Sequence, residues 1–109
     1  MIELAQKKCV ACEGFETPFV KEEAVVLLKQ VKDWKLADDA KSISKEFTFK
    51  NFADALAFAG KVGAIAEDEG HHPDLEVGWG RVKVLLTTHA IKGLSENDFI
   101  EAAKIDLIR

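Results

Sequence analysis

Asp74-Leu75-Glu76-Val77-Gly78-Trp79-Gly80-Arg81-Val82-Lys83-Val84-Leu85-Leu86-Thr87-Thr88 is the stretch that decides the fold. Leu75, Val77 and Trp79 alternate with Asp74, Glu76 and Gly78, and beyond Gly80 the residues Val82, Val84, Leu86 and Thr88 share one parity. Successive side chains on a strand point to opposite faces, so each half reads as a strand with one apolar side. Joined at Gly78-Trp79-Gly80-Arg81, the two strands read as a hairpin.

Helical spacing takes over upstream. Asn51 is placed to cap a helix in which Phe52, Leu56, Ala59 and Ala66 fall on one side and Ala55, Phe58, Val62 and Ile65 widen the stripe. Such a helix is expected to be buried on much of its circumference and to end at Gly70. Before it, Ile43, Phe47 and Phe49 share a parity opposite to Ser42, Ser44, Glu46 and Thr48, giving a strand whose inward set is broken by Lys45. A short extended piece at Trp34-Lys35-Leu36 precedes that strand. Ala24, Leu27, Leu28 and Val31 give a first helix over residues 21–31, with Thr17 before Pro18 as a stand-in cap because Val20 cannot cap. Residues 1–20, with Gly14 and Pro18, read as an irregular arm. Downstream, Gly93 leads into a last helix capped by Ser95, in which Ile100, Ala103 and Leu107 recur.

The order is α-β-β-α-β-β-α. It predicts an α+β fold with residues 1–109 as a single domain: a four-stranded antiparallel sheet with three helices packed on one face, since a sheet with an apolar side must cover it. A chain of 109 residues can bury such a core without disulfides or metal. Fifteen basic residues against nineteen acidic ones, net charge −4, with no Lys/Arg stripe, argue against nucleic-acid binding. No segment approaches membrane-spanning length, and the charged N-terminus does not look like a secretion signal, so a cytoplasmic location is expected. Cys9 and Cys12 form one C-x-x-C with no second pair; reduced thiols in the arm, a redox pair and half a zinc site all fit it.

All three histidines fall between residues 71 and 89, two of them in Glu67-Asp68-Glu69-Gly70-His71-His72-Pro73. Histidine exchanges protons near neutral pH, which makes this the place to look for acid/base chemistry. Pro73 biases His72 toward extended backbone, where adjacent side chains diverge, so His71 and His72 are expected to do different things. His89 ends the last strand, and Glu67, on the last turn of the central helix, is placed to orient an imidazole. These residues can form a proton-transfer pocket or a loop of hydrogen-bonded surface histidines. Asp98 has a structural alternative: Ser95-Glu96-Asn97-Asp98 has capping-box spacing. Trp34 and Trp79 read as packing groups.

Assembled, Glu67-x-x-x-His71-His72-Pro73, Trp79, His89, Gly93-Leu94-Ser95 and Asp98 resemble the signature of the pterin-4a-carbinolamine dehydratase family. The resemblance extends to Asp33-Trp34, Phe47-x-Phe49-x-x-Phe52, Val82-x-Val84-x-Leu86-Thr87-Thr88-His89, Ala102-Ala103-Lys104-Ile105-Asp106, and an arm, residues 8–14, like that of bacterial members. Trp79 stands where tyrosine is common in the family. The resemblance implies a lyase that dehydrates 4a-hydroxytetrahydropterin to quinonoid dihydropterin in tetrahydrobiopterin recycling, with no cofactor. His71 and His89 would be its acid/base pair, His72 a positioning group and Glu67 a tuning carboxylate. Backbone of His71 to Pro73 and of Thr88, His89, Ala90 and Ile91 would hold the pterin edge, with Asp98 a weaker candidate. A homodimer or homotetramer and a functional link to an aromatic amino-acid hydroxylase are also implied. Two rivals stand beside it: a non-catalytic role in stabilising a transcription factor's dimer, as in some animal relatives, and a metal site using His71, His89 and Glu67 with Cys9 and Cys12.

Overall fold

Antiparallel pairing organises the chain. The structure, a computed structural model, describes residues 3–10, 14 and 16–108. In chain order its elements are α1 (Lys21–Leu28), β1 (Lys35–Leu36), β2 (Ile43–Thr48), α2 (Phe52–Glu69), β3 (Asp74–Gly78), β4 (Arg81–Leu86) and α3 (Glu96–Asp106), with 3-10 turns at Leu4–Gln6 and His89–Ile91. The four strands lie in the order β1-β2-β4-β3, every neighbouring pair antiparallel. The α+β architecture expected from the alternating patterns is therefore present.

Register places the apolar parity on one face. Ile43 pairs with Leu86 and Phe47 with Val82, and Ile43, Val82, Val84 and Leu86 are fully buried. On α2, Ala55, Phe58, Ala59, Val62 and Ala66 face that surface; the Phe58 ring lies 4.6 Å from Phe47 and 5.1 Å from Phe49 between centroids. Burying a phenylalanine of this kind stabilises by about 2–3 kcal/mol. Asn51 caps α2 by accepting from the Asp54 amide at 2.7 Å, and Gly70, at φ 66°, ends it in the left-handed region that a side chain disfavours. Gly80, at φ 73°, makes the hairpin turn. A Cβ there would stand 3.1 Å from the Phe49 carbonyl oxygen.

Lys45 shares the inward parity yet is accommodated. Its Nζ donates to Asp106 Oδ1 and to the Lys32 carbonyl, both at 2.8 Å, and sits 4.8 Å from the Phe47 ring centroid. Asp106 also accepts from Trp34 Nε1 at 3.0 Å, so one carboxylate ties the loop after α1, strand β2 and the end of α3 together.

Four expectations are corrected. α1 stops at Leu28, and Val31 is buried from the loop that follows, where Asp33 at φ 64° turns the chain. The N-cap of α1 is Val20, not Thr17; the Val20 amide donates to Glu23 Oε1 at 3.0 Å, and acid in the first turn does the work of the missing cap. α2 is buried along one side only: Phe52 is 45% and Leu56 53% exposed. Leu75 and Val77, on the core-facing parity of β3, are also exposed because β3 is an edge strand.

Candidate active site

Two chain turns converge beside the N-terminus of α3. Gly70 turns the chain out of α2, and the His71 amide donates back to the Ala66 carbonyl at 3.2 Å, which seats the imidazole inside. β4 ends in a tight loop in which the Thr88 amide donates to the Gly93 carbonyl at 2.8 Å. Gly93 is packed so closely that a Cβ would lie 2.6 Å from Pro18 Cβ. These turns bring His71, Thr88 and Ser95 around Asp98.

Asp98 is fully buried and uses both oxygens. Its Oδ2 accepts from the Ser95 amide at 3.0 Å and from Thr88 Oγ1 at 2.8 Å, while Oδ1 lies 2.6 Å from His71 Nε2. The carboxylate is both helix cap and histidine partner. Burial is the largest single influence on His71 and pulls its pKa down, but the hydrogen bond and charge of Asp98, with the charge of Glu101, outweigh it and leave the pKa raised. Holding Nε2–H against a carboxylate leaves Nδ1 as the ring nitrogen for exchange with a substrate.

The other two histidines are exposed. His72 Nε2 hydrogen-bonds Glu67, and His89 Nε2 lies 3.7 Å from Asp74 Oδ2. His71, His72 and His89 line one cavity of about 210 Å³, together with Gly70, Thr88 and Ala90 and, from other directions, Val10 and Asn97. Glu67, Pro73, Ile91 and Asp98 do not line it. A larger cleft, about 560 Å³, lies at the other end of α3 around Lys45, Phe47 and Asp106, and no histidine borders it.

Behind the cavity lies a second layer of acids. Glu69 accepts from the Cys9 amide and from Lys104 Nζ, each at 2.8 Å; burial pushes its pKa up, but Lys104, with the Cys9 amide, prevails and holds it low. Glu101 is fully buried, and neither oxygen has a hydrogen-bond partner among the described residues. Its carboxyl is pushed up to about 7, first by burial and then by Asp98 and Glu69, against the opposing pull of His71 and His72. Burial, followed by the charges of Glu101 and Glu69, pushes the Cys9 thiol up to about 12, which disfavours the nucleophilic thiolate. Cys12 lies outside the described residues. Among the described residues no three His, Cys, Asp or Glu side chains gather as a metal site.

The sequence reading located the three histidines, Thr88 and Ala90 together. The imidazole that Glu67 meets is that of His72, and Asp98 is the carboxylate behind His71. Glu101, Asn97 and Val10 went unnoticed; the spacing Asp98-x-x-Glu101 puts both acids on one side of α3 and was the available signal.

Comparison with known proteins identifies the family. The family model described as pterin 4 alpha carbinolamine dehydratase matches residues 17–108. A Methylococcus capsulatus protein provisionally named pterin-4-alpha-carbinolamine dehydratase is 50% identical over 103 residues, covering 94% of this chain and 90% of its own. One of Nitrosomonas eutropha, with the same provisional name, is 50% identical over 107 residues, covering 97% and 93%. Among solved structures, a transcriptional coactivator/pterin dehydratase from Brucella melitensis superposes with TM-score 0.77 at 30% identity, over 83% of this chain and 96% of that one. A pterin dehydratase-like protein identified as a RuBisCO assembly factor in the alpha-carboxysome superposes with TM-score 0.58 at 25% identity, over 68% and 86%. With the matched region spanning every helix and strand and both histidine segments, the chain belongs to the pterin-4a-carbinolamine dehydratase family.

Proposed function

We propose that the protein dehydrates 4a-hydroxytetrahydropterin, such as 4a-hydroxytetrahydrobiopterin, to quinonoid dihydropterin and water. The observation that carries this reading is the buried His71 Nε2 to Asp98 Oδ1 contact of 2.6 Å, on a cavity that His72 and His89 also line. His71, whose proton affinity Asp98 raises, donates its Nδ1 proton to the 4a-hydroxyl as the C4a–O bond breaks. His89 takes the N5 proton, whose bonding pair forms the new N5=C4a bond. One proton enters the leaving water and one is removed from nitrogen, so no electron transfer and no metal or redox cofactor is required. His72, held by Glu67, positions the ring, and the backbone of His71 to Pro73 and of Thr88 to Ile91 supplies polar contacts at its edge.

Positioned acid/base catalysis of this kind contributes about 10²–10⁴-fold. The setting would be tetrahydrobiopterin recycling in the cytoplasm beside an aromatic amino-acid hydroxylase. No helix among the described residues is long and apolar enough to cross a membrane. The exposed Phe52 and Leu56 on α2 and Leu75 and Val77 on the edge strand support self-association into a dimer or tetramer, since buried core parity left open is characteristic of an interface. A second reading, a non-catalytic assembly partner, is favoured by the name of the carboxysome relative. Stopped-flow decay of freshly generated 4a-hydroxytetrahydropterin distinguishes them: acceleration above the spontaneous rate supports the dehydratase, and an unchanged decay supports the assembly role.

A further inference from the structure

Val10, from the N-terminal arm, lines the same cavity, and Cys9 beside it is held by α2 and α3. The Val10 amide donates to Asn97 Oδ1 at 3.0 Å, and Asn97 Nδ2 donates to the Val10 carbonyl at 2.8 Å, so one buried carboxamide grips both polar groups of one residue's backbone. One residue earlier, the Cys9 amide donates to Glu69 Oε1 at 2.8 Å, and the Cys9 thiol donates to the Asn97 carbonyl at 3.5 Å. Glu69 is itself fixed by Lys104. The grip comes from α2 and α3, the two helices whose ends position His71 and Asp98. Asn97 is only 5% exposed, whereas the Val10 side chain is 72% exposed while lining the cavity with the histidines. An asparagine buried to hold a loop, and a valine held out at a cavity mouth, are an arrangement that costs burial of polar groups and leaves apolar surface wet, a surface suited to a flat apolar ligand face.

We propose that Asn97 is a positioning residue that fastens Cys9 and Val10 as a wall of the substrate cavity, and that Val10 packs on the face of the pterin ring and sets its affinity. This rests on the dehydratase reading above. Asn97 also lines the cavity, but its carboxamide is engaged by the Val10 backbone through both Oδ1 and Nδ2, so it acts through the arm and its loss falls on binding rather than on the proton transfers. Two hydrogen bonds anchor Val10, and freeing that wall is expected to raise KM about tenfold, with kcat within about twofold.

The test uses the full chain with Asn97→Ala and Glu69→Gln, assayed by steady-state dehydration of 4a-hydroxytetrahydropterin and by amide hydrogen exchange. Expected are faster exchange at the Cys9 and Val10 amides, unchanged exchange in β4, and the rise in KM, smaller for Glu69→Gln because Asn97 keeps its grip. Val10→Gly, which leaves the hydrogen bonds in place, should raise KM about threefold with no change in arm exchange. Arm amides that loosen without a rise in KM overturn the proposal, as does a fall in kcat at constant KM, or arm exchange that does not change. If Asn97→Ala loses protection in β4, Val10→Gly alone decides, with unchanged KM overturning the proposal. A wild-type protein that accelerates no dehydration overturns the dehydratase reading and this inference together; an active wild type with unaltered variants overturns this inference only.

Discussion

Replacing Glu101 with leucine should stabilise the protein, and increasingly so as pH rises. Glu101 is fully buried, has no hydrogen-bond partner among the described residues, and shares its surroundings with Asp98 and Glu69. Its carboxyl rises from 4.5 to about 7 on folding. A group whose folded pKa is raised binds its proton more tightly in the native state, so native stability falls as pH climbs from about 4.5 through about 7, and the full penalty is in place above that. At roughly 1.4 kcal/mol per unit the penalty is about 3 kcal/mol at pH 8 and about 1 kcal/mol at pH 5. Glu101→Leu removes the ionisable group with little change in volume. Urea unfolding at about pH 5 and pH 8 should therefore show the variant ahead by these amounts, with a melting temperature on the order of 10 °C higher at the alkaline end. The charge of Glu101 also helps to raise the His71 pKa, so the alkaline limb of the activity profile should move to lower pH in the variant. A stability difference that is the same at both pH values, or a variant no more stable than wild type at pH 8, refutes the reasoning.

Asp98→Asn should keep part of the α3 cap while removing the hydrogen-bonded charge that raises the His71 pKa. Dehydration at pH 8 should fall at least about tenfold with the alkaline limb displaced toward acid, and an unmoved pH profile would separate Asp98 from His71 function. The same substitution sets an amide N–H against the Ser95 amide or Thr88 hydroxyl and should cost about 2 kcal/mol in urea unfolding. Gly93→Ala forces a methyl to 2.6 Å from Pro18 and should cost about 1–3 kcal/mol by thermal melting; a wild-type melting temperature would mean that the two segments separate freely.

Local chemistry made much of the fold readable. Asn51 and Gly70 bound α2 because a side-chain cap and a left-handed residue act within one turn, and Gly80 marks the hairpin for the same reason. What escaped depends on distant partners. Lys45 looked like a break in the inward parity of β2 because its partner, Asp106, lies on α3. Phe52, Leu56, Leu75 and Val77 carry the periodicity of buried residues, and periodicity does not distinguish a face covered by the same chain from one left open. At the site, capping-box spacing accounted for Asp98 Oδ2 and hid the work of Oδ1, which meets His71 across 27 positions of sequence. Glu69 and Glu101 resemble the solvated acids around them in sequence; only packing reveals that the arm and Lys104 cover the first and that the second is enclosed.

The claim that His71 and His89 move the two protons of a dehydration is tested most directly by stopped-flow measurement of 4a-hydroxytetrahydropterin decay with wild type, His71→Ala and His89→Ala at pH 7. Each substitution should lower kcat by about 10²-fold or more, and wild-type turnover in both variants would contradict it.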